Sequence, residues 1–409
     1  MLSICGKIGA LLALALLFTA CREEKPVIKE NVWDTHSQLF WVDSAGGERV
    51  AGIRSIVGAD TLKKLFVLRD SAAFNAGKNL PAELSGAMVL RTPLKRVAVL
   101  SSAQIGYMLR LGVEDRIVAV GAGKYIADSS LYAKATAGQL VEVSPDGMNV
   151  DYEKLIALKP DLVMTFATGG SQDDYDRMEK LGIPVMLTSE WQETSVADKA
   201  SWLSLYGDLF GKEALSDSIE REFKYDSLAA SPCEGRKVLA GMSYGGVWYA
   251  PGGRSYTADL IKKAGGCYLW ASDTTRELRL TIEDVIALAD SADMWVNPGM
   301  FGTPEEILAA EPRAAHIKAF KNKKVFQNDG RKGPGGGNDF FESAVARPME
   351  LIWNLRDLFL ADFQLLADSS GGDVKSLPGL TPPVQSPSEK GPNKAQSEYL
   401  PYTWYHNIF

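Results

Sequence analysis

Histidine is nearly missing from this chain: His36, His316 and His406 are the only three in 409 residues, and they stand far apart. No HxxxH, CxxC or HExxH spacing accompanies them, so a dedicated transition-metal site is not expected. Basic residues are outnumbered by acidic ones, 44 to 51, and no dense Lys/Arg stripe tracks a phosphate backbone, which argues against a nucleic-acid partner. A phosphate loop is absent too, because Gly121-Ala122-Gly123-Lys124 is followed by Tyr125 and lacks the GxxxxGK[ST] spacing. No cofactor is expected. The apolar run Ile8 to Phe18 is shorter than the roughly 20 residues that cross a bilayer as a helix, and no later run is long enough either.

What is present starts with a lipoprotein signal. Lys7 supplies a positive start, the apolar run follows, and Leu17-Phe18-Thr19-Ala20-Cys21 is a lipobox. Residues 1–20 therefore read as a signal peptide and Cys21 as the lipidated first residue, anchored by several acyl chains because one alone binds marginally. The expected location is the cell envelope, with the protein facing the periplasm or the outer surface. Cys5 leaves with the signal and Cys21 is acylated, so Cys233 and Cys267 are the two that could pair in that oxidising compartment.

The length exceeds what one hydrophobic core serves, and a hydrophobic share of 46% suits a globular chain of two lobes. Residues 21–94 read as a charged tether and a β-rich extension, in which runs such as Leu65-Phe66-Val67-Leu68 alternate with Gly, Asn and Asp breakers. An α/β pattern fills 95–193: Arg96–Leu100, Arg116–Val120, Asp161–Phe166 and Gly182–Leu187 read as strands separated by helical stretches. Segment 194–231 reads as an inter-lobe helix. Its Trp202, Leu205, Tyr206, Leu209 and Phe210 form an amphipathic stripe, and a continuous helix from Val196 to Leu228 would reach about 50 Å. The α/β pattern restarts over 232–363, and 364–409 reads as a Pro/Ser-rich linker ending in an aromatic tail. The fold class is thus α/β: two Rossmann-like lobes joined by a long helix, with a small N-terminal β-rich extension.

One internal comparison makes the lobes two copies of a design. Asp151-Tyr152-Glu153-Lys154-Leu155-Ile156-Ala157-Leu158 aligns without gaps to Thr281-Ile282-Glu283-Asp284-Val285-Ile286-Ala287-Leu288, four of eight positions being identical. Each octet opens on an N-cap residue and leads into an apolar strand.

In order along the chain, Arg96–Ser101, Leu158-Lys159-Pro160-Asp161-Leu162-Val163, Pro251-Gly252-Gly253-Arg254-Ser255-Tyr256, Ala264-Gly265-Gly266 and Asn338–Glu342 before Arg347-Pro348 resemble the helical-backbone class of periplasmic substrate-binding proteins of ABC transporters, the carriers of cobalamin, ferric siderophores and haem. The resemblance covers about Lys95 to Phe363. It implies a monomeric binder, not an enzyme, that captures a bulky iron-siderophore or corrinoid/haem-like ligand and delivers it to an importer, a permease dimer with its ATPase. It also implies that Glu153 and Glu283, one per lobe, dock to the permease. Both sit two residues after a helix N-cap, where the macrodipole favours a carboxylate by about 0.3–1 kcal/mol. The ligand cleft is expected beyond the carboxyl ends of facing strands, with Tyr125, Phe166, Trp248, Arg254, Tyr256, Arg331, Asp339 and Phe340 as its binding residues. Aromatics supply flat apolar area there, and Lys124, Arg254 and Arg331 meet negative groups.

Two other classes compete. Gly241-Met242-Ser243-Tyr244-Gly245 fits the GxSxG pattern of a serine hydrolase, which would use Ser243 as nucleophile with His316 or His406 as base. A nucleophile elbow must run directly into a helix, whereas Gly246–Gly252 reads as extended chain and turn. The other class is a non-transport surface binding lipoprotein on the same two-lobed scaffold.

Overall fold

The computed structural model describes residues 37–170, 173–223, 235–370 and 404–409. The lipobox with Cys21, Cys233 and the Pro/Ser-rich stretch lie outside them. Within the N-terminal extension, β1 (Phe40–Ala45), β2 (Glu48–Val57) and β3 (Asp60–Arg69) pair antiparallel, and β4 (Met88–Arg91) adds parallel to β3. This sheet is welded to the first lobe. Phe40, Phe66 and Leu68 share one apolar cluster with Trp202, Tyr206 and Leu209, and the Phe40 and Trp202 rings lie 4.9 Å apart.

Short aliphatic runs then build a parallel sheet from β5 (Val97–Val99), β6 (Ile117–Val120), β7 (Val141–Glu142), β8 (Leu162–Thr165) and β9 (Val185–Leu187), in the order β7-β6-β5-β8-β9. The strands β5, β8 and β9 are buried at every position, as strands covered on both faces must be. Chain direction through the sheet reverses at β5, so the switch point, where ligands of open α/β sheets settle, lies between β5 and β8. Ser101 caps the helix Ser102–Arg110, and the Gln104 side chain accepts from Leu100 N at 2.9 Å and Ser101 N at 3.1 Å.

The second lobe repeats the scheme with β10 (Lys237–Ala240), β13 (Cys267–Tyr268), β15 (Met294–Val296) and β16 (Val325–Gln327), ordered β13-β10-β15-β16, all parallel. A separate antiparallel sheet holds β11 (Met242–Tyr244), β12 (Val247–Pro251) and β14 (Glu277–Leu280). The chain end supplies β17 (His406–Asn407), which closes the outer edge of β16 antiparallel. The aromatic tail is therefore part of the lobe. Trp404 is fully buried, because its indole reaches Asp339 and its backbone N–H reaches Asn354.

The connection between lobes differs from one continuous helix. Val196–Phe210 is helical and its expected stripe is buried, but Gly211 takes φ 68° and sends its N–H back to Gly207, which ends the helix. A second helix, Glu213–Glu222, follows. The last long helix runs from Pro348 to Ser370. No helix among the described residues is long and apolar enough to cross a membrane.

The lobes meet through Glu342. Its two carboxylate oxygens accept from Ala127 N at 2.8 Å and Asp128 N at 2.7 Å, just beyond the end of β6. Gly106 on the first-lobe helix lies so close that a Cβ there would come 1.8 Å from the Glu342 carbonyl oxygen. Burial raises the Glu342 carboxyl to about 7, against the lowering effect of the two N–H donors.

Candidate ligand site at the strand ends

Large apolar side chains that stay exposed are informative because burial is their default. In the first lobe, such residues follow the strands one after another: Tyr125 after β6 (55% exposed), Met148 after β7 (61%), Phe166 after β8 (42%) and Trp191 after β9 (46%). In the second lobe, Tyr244 stands at the β11–β12 turn, Met300 follows β15 and Phe341 follows β16, all exposed. Phe166 and Met300 belong to the strands next to the two switch points, β5/β8 and β10/β15.

The loops that carry these residues are built rather than loose. Gly123 N donates to Glu142 at 2.8 Å, fixing the turn below Tyr125. Asp146 accepts from Met148 N and Asn149 N at 2.8 and 2.9 Å, and these bonds, Asn149 foremost, hold its carboxyl down to about 2. Thr168 N and Gly169 N both donate to Asp173, which organises the chain after Phe166. The Gln327 amide donates to the carbonyls of Gly299 and Phe301, both at 2.9 Å, and so presents Met300.

The residues selected from sequence divide into groups. Tyr125 and Phe166 stand exposed at strand ends, with the Lys124 ammonium 5.0 Å from the Tyr125 ring. Arg254 is exposed, in the loop before the helix Tyr256–Lys263. Tyr256 is half-buried, covered by the Lys199 ammonium at 4.2 Å from its ring, and burial pushes its hydroxyl well up. Phe340 is half-buried against Phe341 and Tyr405.

Trp248, Asp339 and Arg331 have other places. Trp248 is 1% exposed, on the inner side of β12 with its ring 5.1 Å from Trp295, so it fills the core and offers no surface. The alternation of the strand put Trp248 inside and Tyr249 outward. Asp339 is buried and accepts from Trp404 Nε1 at 2.9 Å and Ser343 Oγ at 2.6 Å, with Arg331 at 3.3 Å. Arg331 also lies over the Trp404 ring, at 5.9 Å. Reasoning from sequence missed Met148, Trp191, Tyr244, Met300 and Phe341. For Met148, Trp191 and Met300 the available signal was a position a few residues beyond a strand, whereas Tyr244 ends β11 and Phe341 lies well beyond β16.

Ser243 lies within the antiparallel β11–β12 hairpin opposite Trp248 and is 4% exposed, which is not the strand–turn–helix of a nucleophile elbow. Among the described residues, no group of three or more His, Cys, Asp or Glu is placed to hold a metal ion. Cys267 is disulfide-bonded, and the other three cysteines of the sequence lie outside the described residues.

Glu153 and Glu283 are both exposed at the starts of the matched helices Tyr152–Leu158 and Ile282–Ala289. They differ in company. The Glu283 carboxylate pairs with Arg313, which also holds Glu311 at 2.8 Å.

A family model described as periplasmic binding protein matches residues 97–331. The chain belongs to that family. Three relatives illustrate the range of similarity. An uncharacterized lipoprotein of Methanocaldococcus jannaschii is 22% identical over 65% of this chain and 65% of its own length. A vitamin B12-binding protein of Vibrio parahaemolyticus is 29% identical over 32% of this chain and 44% of its own length. An uncharacterized ABC transporter substrate-binding lipoprotein of Bacillus subtilis is 25% identical over 59% of this chain and 74% of its own. The first two are thus matched over less than two thirds of their length.

Proposed function

We propose that this chain is the lipid-anchored substrate-binding component of an ABC importer, taking a bulky ligand of iron-siderophore, haem or corrinoid type between its lobes. The observation that carries the reading is the set of exposed apolar side chains at the carboxyl ends of both parallel sheets, centred on the switch points. Flat or greasy side chains such as Phe166, Tyr125 and Met300 suit the faces of a macrocycle or a catecholate, and Lys124 and Arg254 suit its anionic groups. The relatives named as a vitamin B12-binding protein and as an ABC transporter substrate-binding lipoprotein point the same way. The gap lined by Ile53, Leu62 and Leu187 lies between the extension and β9 and leaves no room for a small molecule, so it is an internal contact.

Anchoring through Cys21 and docking through Glu153 and Glu283 complete the proposal. Purification from the native envelope followed by mass spectrometry of the bound small molecule tests the ligand class. Recovery of a haem, corrinoid or ferric chelate supports it, and recovery of a sugar, a peptide or a bare metal ion overturns it. Fatty-acid labelling that persists in Cys21→Ala would exclude the anchor.

A further inference from the structure

The N-terminal extension lies outside the matched family region, yet its longest hairpin contacts the strand-end loops. The β2–β3 turn places Gly58 against Gly169, so close that a Cβ on Gly169 would come 2.4 Å from Gly58 N. Gly169 has φ 83°, a conformation that favours glycine, and it belongs to the loop that starts at Phe166. Two residues earlier on β2, Ile56 stands beyond the end of β1, which pairs only as far as Ile53. The Gln192 side-chain amide takes the vacant place of a neighbouring strand. It accepts from Ile56 N at 3.1 Å and donates to Ile56 O at 2.6 Å. Ser55 adds a buried link, donating to Leu187 O at 3.3 Å and accepting from Ser189 Oγ at 2.9 Å. Lower on β3, Lys64 pairs with Glu179.

Apart from the Lys64–Glu179 pair, which reaches the helix Tyr175–Lys180, these contacts converge on the end of β9 and on two loops, the one after β8 that carries Phe166 and the one after β9 that carries Trp191. An amide that copies a backbone ladder, a glycine-on-glycine approach and two linked hydroxyls specify position more narrowly than apolar packing does. From this geometry we infer that the β2–β3 hairpin is a positioning and specificity element of the ligand site. It sets the placement of Phe166 and Trp191 through Gly58 and Gln192, so that the first-lobe wall is preorganised before the ligand arrives. The inference rests on the ligand reading proposed above, because it assigns the extension to that same site. Preorganised loops bind more tightly since their ordering cost is already met.

The test uses the full chain and two kinds of variant. In one, residues 56–61 are replaced by Asn-Gly, which joins the Ser55 and Leu62 register pair through a two-residue turn and leaves the remaining ladder intact. The other is Gln192→Ala, with Gln192→Glu as its conservative partner, because only a protonated carboxyl restores both bonds to Ile56. Amide exchange of 166–170 and 188–192 is measured without ligand, and cyanocobalamin and haemin are titrated as probes. The expected result for the shortened hairpin and Gln192→Ala is exchange about tenfold faster in both loops. Affinity for whichever probe the parent binds should fall by about tenfold as well. Protection should return in Gln192→Glu as the pH falls below about 4.5. Unchanged exchange overturns the inference, and so does faster exchange with unchanged affinity. If the parent binds neither probe, a ferric hydroxamate is titrated in their place; if that also fails to bind, the ligand class fails, and the exchange arm alone then decides whether the hairpin holds these loops.

Discussion

The two lobes solve the same edge problem with opposite ends of the chain. Each is a parallel sheet with an outer strand that must not stay open, since an exposed edge is a template for pairing with another chain. At the first lobe, the edge strand β9 is met by side chains of the extension, with Ser55 donating to the Leu187 carbonyl. At the second, the edge strand β16 is closed by backbone pairing to β17, locked by the buried indole of Trp404. Side-chain closure leaves β9 its own loop geometry and lets the extension reach past it to the strand ends. Backbone closure ties the tail to Asp339 and Arg331, and engages two polar residues that would otherwise be available to the proposed ligand surface.

The largest effect should come from breaking the backbone closure. Trp404→Ala removes a fully buried side chain and the donor to Asp339, which should cost about 3–5 kcal/mol. Urea denaturation checks it, and a loss below about 1 kcal/mol would show that the tail is not part of the folded lobe.

Next in size is the seam between lobes, where the effect depends on pH. Glu342 titrates at about 7 when folded, against 4.5 for an ordinary glutamate, so the folded state holds its proton more tightly than the unfolded chain does. The stability it contributes is full below about 4.5 and is lost as the pH rises towards and through 7, by up to about 3 kcal/mol. Glu220, also raised to about 7 by burial, adds a trend of the same sign. Glu342→Gln keeps a side-chain acceptor and should flatten part of the slope between those pH values, leaving the share from Glu220. Stability curves of parent and variant that run parallel across this range would rule out Glu342 as a source.

Side-chain closure should be weaker. Ser55→Ala removes the bond to the Leu187 carbonyl and the acceptor for Ser189, for a loss of about 1 kcal/mol in thermal or urea unfolding. A loss as large as that of Trp404→Ala would erase the distinction between the two closures.

The smallest effects sharpen the comparison at the proposed docking glutamates. Glu283 already pairs with Arg313, both being largely exposed, so either single alanine change should alter importer docking by only about 0.2–1 kcal/mol. Glu153→Ala should weaken transport more than Glu283→Ala, and Arg313→Ala should restore Glu283 as a full partner. Equal losses in a vesicle uptake assay would show that Arg313 does not compete.

Much of the fold was legible because local pattern and tertiary environment agree. Runs such as Val97-Ala98-Val99 and Leu162-Val163-Met164 are apolar at every position, which suits strands covered on both faces. The break at Gly211 depends on one residue adopting a left-handed conformation, which composition permits but does not require. The tail was read as a linker and aromatic end because the pairing of β17 with β16 spans about eighty residues of sequence, beyond the reach of local periodicity. For the candidate site, strand-end position singled out Tyr125 and Phe166, and the structure leaves both side chains exposed. Trp248 was misplaced because a short aromatic pair leaves its register ambiguous by one residue, and one residue turns a strand side chain from surface to core.

The proposed function requires that one ligand touch both lobes. Calorimetric titration of haemin, cyanocobalamin and a ferric hydroxamate into the parent, Phe166→Ala and Met300→Ala asks this directly. The expected result is that one of these probes binds and that each substitution, one per lobe, weakens it by about 1–3 kcal/mol with free iron ions inert. Full affinity in both variants, or binding of bare metal in place of every chelate, would contradict it.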